Sequence, residues 1–298
     1  MGSFRWYYNR IKSYVGRPRL IVQEKPVLVD ESVRCDHPLF LLGAHRSGTS
    51  LVRRMINSHP DIACPPETFY IARYVEMMQD EETAAGYEGF GFGAAEMRND
   101  LARKASSLHE AFRLSQGKAI WADKTPQYLQ IAEEIDRLFD ARPRYILISR
   151  HPLDIAHSIW KRGWKFVDID DPFEAALIYA RQCAGKLDAF AASHPDRCGR
   201  LHYAELCAYP EAALTKAMEA VGLSYHPEML KFGEKQHNFG LEDPVIRGKK
   251  SVEASAGAWQ GWNAGGKRRA TEIFGEAVLD PAYIPDSTAM PPMAAAWA

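Results

Sequence analysis

The sequence predicts an α/β protein in three layers, a central parallel sheet flanked by helices. Two apolar runs carry that reading. Pro38-Leu39-Phe40-Leu41-Leu42 ends at Gly43, and Arg144-Tyr145-Ile146-Leu147-Ile148-Ser149 runs into His151-Pro152. Continuous apolar runs of this length suit strands covered on both faces, as in parallel sheets. Helix-patterned segments alternate with them, as βαβ units require.

The elements follow in order. Residues 1–34 read as an arm, with Arg5, Arg10, Lys12, Arg17 and Arg19 interleaved with Trp6, Tyr7, Tyr8 and Tyr14. Such a segment either packs on its own domain or meets a membrane surface or partner. The strand at 38–42 leads through a glycine-rich turn into a helix from Leu51 to Asn57. Helices are expected at Phe69 to Gln79 and Ala94 to Ser115, with a loop at Gly86 to Gly93 and a short strand at Ala119-Ile120-Trp121. After the strand at 144–149, Pro152 suits a first helical position, and Ile155 and Ile159 continue with helical spacing to Arg162. Pro172 to Ala192 reads as a long helix, Arg200 to Tyr203 as a strand, and Pro210 to Val221 as a helix closed by Gly222. From Pro281 the chain is rich in Pro, Ala and Met and reads as a tail. The expected organisation is thus an arm at 1–34, a domain at 35–280 and a tail at 281–298.

Composition narrows the function classes. The 298 residues carry 37 Lys+Arg and 38 Asp+Glu, a net charge of −1. That balance argues against nucleic acid as a partner, because duplex binding depends on neutralising many phosphates. No apolar stretch approaches the ~20 residues of a membrane span. The start lacks the apolar core of a signal peptide, and Trp6 stands where myristoylation wants Ser or Thr. The five cysteines form no Cys-x-x-Cys pair, which points away from a disulfide framework or zinc ribbon and toward a reduced, cytoplasmic protein.

The most informative stretch is Gly43-Ala44-His45-Arg46-Ser47-Gly48-Thr49-Ser50, between a strand and a helix. Backbone N–H groups in such a loop, with the helix N-terminus, cradle an anion. The spacing matches Gly-x-x-x-x-Gly-Lys-[Ser/Thr] except that Thr49 occupies the lysine position. The cation sits earlier, as Arg46. No Asp placed to hold Mg²⁺ follows the best strand, which ends Ser149-Arg150. A triphosphate-handling enzyme is therefore disfavoured, and no histidine pair or carboxylate cluster suggests a metal.

With these residues in view the chain resembles the sulfotransferase superfamily that uses 3′-phosphoadenosine-5′-phosphosulfate. It looks closest to the tyrosylprotein-sulfotransferase-like branch and its bacterial relatives. The family's Arg-Ser-Gly-Thr-Thr loop appears as Arg46-Ser47-Gly48-Thr49-Ser50, and Asn57-Ser58-His59-Pro60-Asp61-Ile62 leading to Glu67-Thr68 also matches. The matches run from about Pro38 to about Trp259. The resemblance implies a P-loop NTPase-like fold and sulfuryl transfer to an acceptor hydroxyl by in-line attack, with 3′,5′-adenosine diphosphate as product. It implies Glu67 as general base, Arg46 and Lys124 as charge stabilisers, and Arg46 to Ser50 as the 5′-phosphosulfate loop. Arg150, and Ser158 eight residues on, match the pair that binds the 3′-phosphate. Tyr203 matches a strand-end tyrosine near the nucleotide. Lys249, Lys250 or Arg247 would close over the 3′-phosphate.

The residues leave rivals open. Glu67 also reads as a first-turn helix glutamate, Lys124 as a partner of Asp123, Tyr203 as a core tyrosine and the 247–250 run as solvated charge. His45, His59 and His151 are alternative bases. Phe69 departs from the tyrosylprotein enzymes, which carry arginine there, so the acceptor class stays open among small molecule, carbohydrate, lipid and peptide. The loops Phe69 to Tyr74 and Gly86 to Gly93 are the expected pocket lining, and a homodimer is compatible with the sequence. The functional rivals are a P-loop kinase or phosphotransferase and a non-catalytic nucleotide-binding relative.

Overall fold

A computed structural model describes residues 34–237, 240, 248 and 251–285. Residues 1–33 of the expected arm (1–34), the basic residues Arg247, Lys249 and Lys250, and the end of the tail lie outside the described residues. The elements run β1 (Leu39–Gly43), α1 (Thr49–Ser58), β2 (Ile62–Ala63), α2 (Ile71–Gln79), α3 (Glu81–Gly89), α4 (Ala94–Ser115) and β3 (Ile120–Asp123). They continue with α5 (Ala132–Leu138), β4 (Arg144–Ser149), α6 (Pro152–Trp160), α7 (Pro172–Ser193) and β5 (Cys198–His202). The last are α8 (Tyr203–Ala208), α9 (Pro210–Glu219) and α10 (Ala264–Phe274).

The described strands form one parallel sheet in the order β2-β3-β1-β4-β5. Period-two alternation sorts the central strands between two cores. Phe40, Leu42, Tyr145 and Leu147 face a layer built from α2, α4, α5, α6, α7 and α10. Leu39, Leu41, Ile146 and Ile148 face the other way, toward α1, α8 and α9. β1 is buried along its whole length, which accounts for its continuous apolar run. It lies between β3 and β4, where connections leave to opposite sides. That is the switch point at which ligands bind open α/β sheets, at the carboxyl ends of the strands.

The structure departs from the sequence reading in places that have physical causes. The segment expected as a loop at Gly86 to Gly93 is helical through Gly89, because Asp80 caps α3 by accepting from the Thr83 N–H at 2.7 Å. α3 buries no residue fully, so it left no apolar stripe to read. The helix expected from Phe69 begins at Ile71, since Phe69 has φ of 59°. β3 extends to Asp123, making Lys124 the first residue past its carboxyl end. Tyr203 opens α8 rather than ending β5. Beyond α10, Tyr283 sets its ring 6.0 Å from that of His151. All five cysteines are free thiols. No helix among the described residues is long and apolar enough to cross a membrane.

Candidate active site

The glycine loop joins β1 to α1 with left-handed backbone at Arg46 (φ 70°) and Gly48 (φ 99°). Gly43 and Gly48 are there for different reasons. A Cβ on Gly43 would lie 2.8 Å from the Ile148 carbonyl of β4. On Gly48 it would lie 2.5 Å from the Tyr203 ring. Ser47 is fully buried and fastens the turn, its backbone N–H and its hydroxyl both donating to the Ala44 carbonyl, at 3.1 and 2.8 Å. The first N–H groups of α1, at Thr49 and Ser50, have no acceptor within the helix, as at any helix start.

Lys124 enters this loop from the end of β3. It is 1% exposed, its ammonium donates to Ser50 Oγ at 3.1 Å, and it forms an ion pair with Glu67. The cation absent at position 49 thus arrives from the neighbouring strand, while Thr49 itself is buried. Glu67, Lys124 and Ser50 are brought together as one group.

Arg46 reaches α6 as well as the glycine loop. Its Nε donates to Ser158 Oγ on α6 at 3.0 Å, so its side chain lies on the side expected for the 3′-phosphate. Ser158 also accepts from Arg162 at 2.8 Å. Arg150, just past β4, donates to the Arg46 carbonyl at 2.6 Å and to the Ser255 carbonyl, and its guanidinium sits 4.6 Å from the Tyr203 ring centroid. Its buried Nε has no hydrogen-bond partner, with Asp154 3.9 Å away. Burial pushes the Arg150 guanidinium down, opposed chiefly by the Asp154 charge. Tyr203 is buried and donates to the Glu253 carbonyl at 3.3 Å. The segment after the expected basic loop therefore lies across Arg150, held further by Gly257 N–H donating to Asp154 at 2.8 Å.

The three histidines raised as bases each make defined contacts. Burial first, then Lys124 and Arg46, lowers His45 to about 4, and its Nδ1 lies 2.7 Å from the Tyr179 hydroxyl. His45 therefore stays neutral near neutral pH, with its Nδ1 committed to the Tyr179 hydroxyl. His59 contacts the Ser224 carbonyl and accepts from Asp61 N–H, and His151 caps α6 and stacks on Trp259.

Two features escaped the sequence. One is an aromatic stack rising from the loop: His45 on Phe166 at 4.4 Å and Phe166 on Tyr179 at 4.6 Å, with Trp164 beside it. The other is the buried Asp123 behind Lys124, bonded to Thr68, Thr125 and His109. The Asp-Lys-Thr-Pro run at a strand end was the available signal. The Gly86 to Gly93 stretch does not line this site. Its Phe90 and Phe92 face solvent, and the cavity there is bordered by Tyr87, Phe92, Glu96 and Asp100. Among the described residues no group of three or more His, Cys, Asp or Glu is placed to hold a metal ion.

Comparison with known proteins adds an independent line. A sequence model described as the sulfotransferase family matches residues 38–227. The nodulation protein NoeE of Sinorhizobium fredii is 31% identical over 132 residues, 42% of this chain and 31% of NoeE. Protein-tyrosine sulfotransferase of Drosophila melanogaster is 24% identical over 208 residues, 66% of this chain and 40% of that protein. Protein-tyrosine sulfotransferase 2 of Gallus gallus is 26% identical over 207 residues, 66% and 54% of the two chains. The matched region thus spans from about a third to about half of these relatives' lengths. Among solved structures, the sulfotransferase domain of the Synechococcus PCC 7002 olefin synthase superposes with a TM-score of 0.54 at 19% identity, over 84% of this chain and 98% of that one. The sulfotransferase domain of the curacin biosynthetic pathway gives 0.54 at 19% identity, over 86% and 95%. At that identity the likeness speaks to the fold.

Proposed function

Because the chain belongs to the sulfotransferase family, we propose that it moves a sulfuryl group from 3′-phosphoadenosine-5′-phosphosulfate to an acceptor hydroxyl. The observation that carries this reading is the meeting of Glu67, Lys124 and Ser50 at the mouth of a glycine loop that lacks its own lysine. The residues fit the donor. The loop and the start of α1 would hold the 5′-phosphosulfate, and Arg150, whose buried Nε makes no hydrogen bond, and Ser158 would hold the 3′-phosphate. Tyr203, packed against Gly48 and Arg150, would border the nucleotide.

In the proposed reaction the acceptor oxygen bonds to sulfur as the bond from sulfur to the phosphate oxygen breaks. Glu67 takes the hydroxyl proton, and the departing phosphate carries away the electron pair. Lys124 lies between Glu67 and the loop, so one ammonium both orients the carboxylate and offsets charge on the transferring group. Arg46, in its contact with Ser158, tethers the loop to α6 and sets the two ends of the nucleotide site at a defined separation. Acceptors bear a hydroxyl group. Phe69, in place of the arginine of the tyrosylprotein enzymes, removes one cation that would favour an acidic peptide.

The test has two parts. Calorimetry should show 3′,5′-adenosine diphosphate binding without added magnesium, and a labelled-sulfate screen across peptide, carbohydrate and small-alcohol acceptors should find transfer. Glu67→Gln should bind nucleotide normally and lose turnover. Magnesium-dependent ATP turnover with no binding of the diphosphate would favour the phosphotransferase rival instead.

A further inference from the structure

Behind the Glu67–Lys124 pair lies a set of buried and part-buried polar groups joined by hydrogen bonds. Asp123 and His109 are each 1% exposed. The Asp123 carboxylate, an acceptor only, takes the Thr68 hydroxyl at 2.5 Å and His109 Nε2–H at 2.8 Å on Oδ2, and the Thr125 hydroxyl at 2.9 Å on Oδ1. Thr68 has spent its one proton, so the Tyr128 hydroxyl 3.2 Å away donates to it, and Tyr128 in turn accepts from Ile71 N–H at 3.0 Å. Thr68 N–H donates to Thr125 Oγ1 at 3.2 Å. The Tyr70 hydroxyl meets His109 Nδ1 at 2.6 Å.

The sequence positions give this network its meaning. Thr68 follows Glu67, and Asp123 and Thr125 flank Lys124. Residues 67–70 cross from β2 to α2 through Phe69 at a φ of 59°, a conformation a bulky side chain keeps only when its surroundings impose it. The bonds from Thr68, Tyr70 and Ile71 are those constraints. We infer that Asp123, backed by His109, is a positioning group that holds Thr68 and Thr125 together and thereby sets Glu67 against Lys124. This rests on the reading of Glu67 as the base.

The experiment measures transfer rates and 3′,5′-adenosine diphosphate affinity for Thr68→Val, Thr68→Ser, His109→Phe and His109→Gln. Thr68→Val keeps shape and loses the hydroxyl, and Thr68 is only part-buried, so it leaves folding intact if the network matters chiefly to the site. Thr68→Val and His109→Phe should lower kcat about 10- to 100-fold, the scale of a misplaced catalytic group. Nucleotide affinity should stay within about threefold, because the network touches none of the proposed nucleotide ligands. Thr68→Ser, and His109→Gln with its amide donor to Asp123, should recover most of the rate. In a Glu67→Gln background, Thr68→Val should cost nothing further, since both changes act through one group. Wild-type kcat in Thr68→Val and His109→Phe, beside an inactive Glu67→Gln, would overturn the positioning role and leave the base standing. Equal losses of rate and nucleotide affinity, or a full further loss in the Glu67→Gln background, would also overturn it by marking the network as general scaffold. Full turnover by Glu67→Gln itself would remove the base and this inference with it.

Discussion

Gly48→Ala probes the loop most directly. Gly48 has a φ of 99°, beyond the left-handed region that side chains tolerate, so an alanine there costs about 1–2 kcal/mol in backbone terms. Its Cβ would also stand 2.5 Å from Tyr203 Cδ2 and 2.9 Å from Cε2. The ring has little room to yield, since it faces the Arg150 guanidinium at 4.6 Å and its hydroxyl donates to the Glu253 carbonyl. Displacing it forfeits about 0.5–2 kcal/mol of cation–π attraction and about 1 kcal/mol of hydrogen bond. The expected destabilisation is about 3 kcal/mol by urea denaturation, with 3′,5′-adenosine diphosphate affinity falling at least about 10-fold. The same substitution in a Tyr203→Ala background meets no ring and should cost only the backbone part, about 1–2 kcal/mol. Equal losses in both backgrounds would refute the steric argument.

Three other outcomes are expected. Arg150→Met should weaken 3′,5′-adenosine diphosphate by about 10- to 100-fold, the worth of a charge-assisted bond, while adenosine 5′-phosphate binding changes little; parallel losses would remove the 3′-phosphate assignment. Lys124→Met should lower transfer at least about 100-fold with nucleotide affinity nearly kept, and retained transfer by a labelled-sulfate assay would reject its role. His45 is held near 4, below its ordinary 6.5, so it stays neutral in the fold while the unfolded chain takes up a proton. Its contribution is intact above pH 6.5 and is lost as pH falls toward 4, at most about 3 kcal/mol. Thermal denaturation should therefore show His45→Gln losing less stability than wild type across that window, and parallel curves would contradict the shift.

What could be read from residues alone follows from how each feature is encoded. β1 and β4 announce themselves because strands covered on both faces need unbroken apolar runs. β2 pairs only Ile62 and Ala63 with β3 and is too short to show a pattern. α10 begins Ala264-Gly265-Gly266, an unpromising start that Asn263 rescues by accepting from Gly266 N–H at 2.8 Å. In the site, the glycine spacing marked the loop, and the family resemblance supplied Lys124. The direction of the Arg46 side chain was not legible, because it depends on a left-handed backbone angle and on Ser158, 112 residues away. Asp123 read as a simple partner for Lys124, whereas its bonds go to Thr68, Thr125 and His109. Local spacing reveals which residues end a strand and says little about where buried hydroxyls point.

The strand order also bears on how such a protein can change. The glycine loop, Lys124 and Arg150 leave the ends of three adjacent strands, β1, β3 and β4. Neighbouring strands lie about 4.8 Å apart, so the spacing of these roots is fixed by ladder hydrogen bonds that no surface substitution reaches. The donor-handling half of the site is thereby a lattice, with Lys124 and Arg150 rooted two strand intervals apart on either side of the loop. Within the connection from β2 to β3, α3 hangs outside that lattice and buries no residue fully. Residues of α3 can be exchanged without disturbing the ladder or the bonds made by Thr68, Ile71 and His109, so variation is expected there while the three strand ends keep their places.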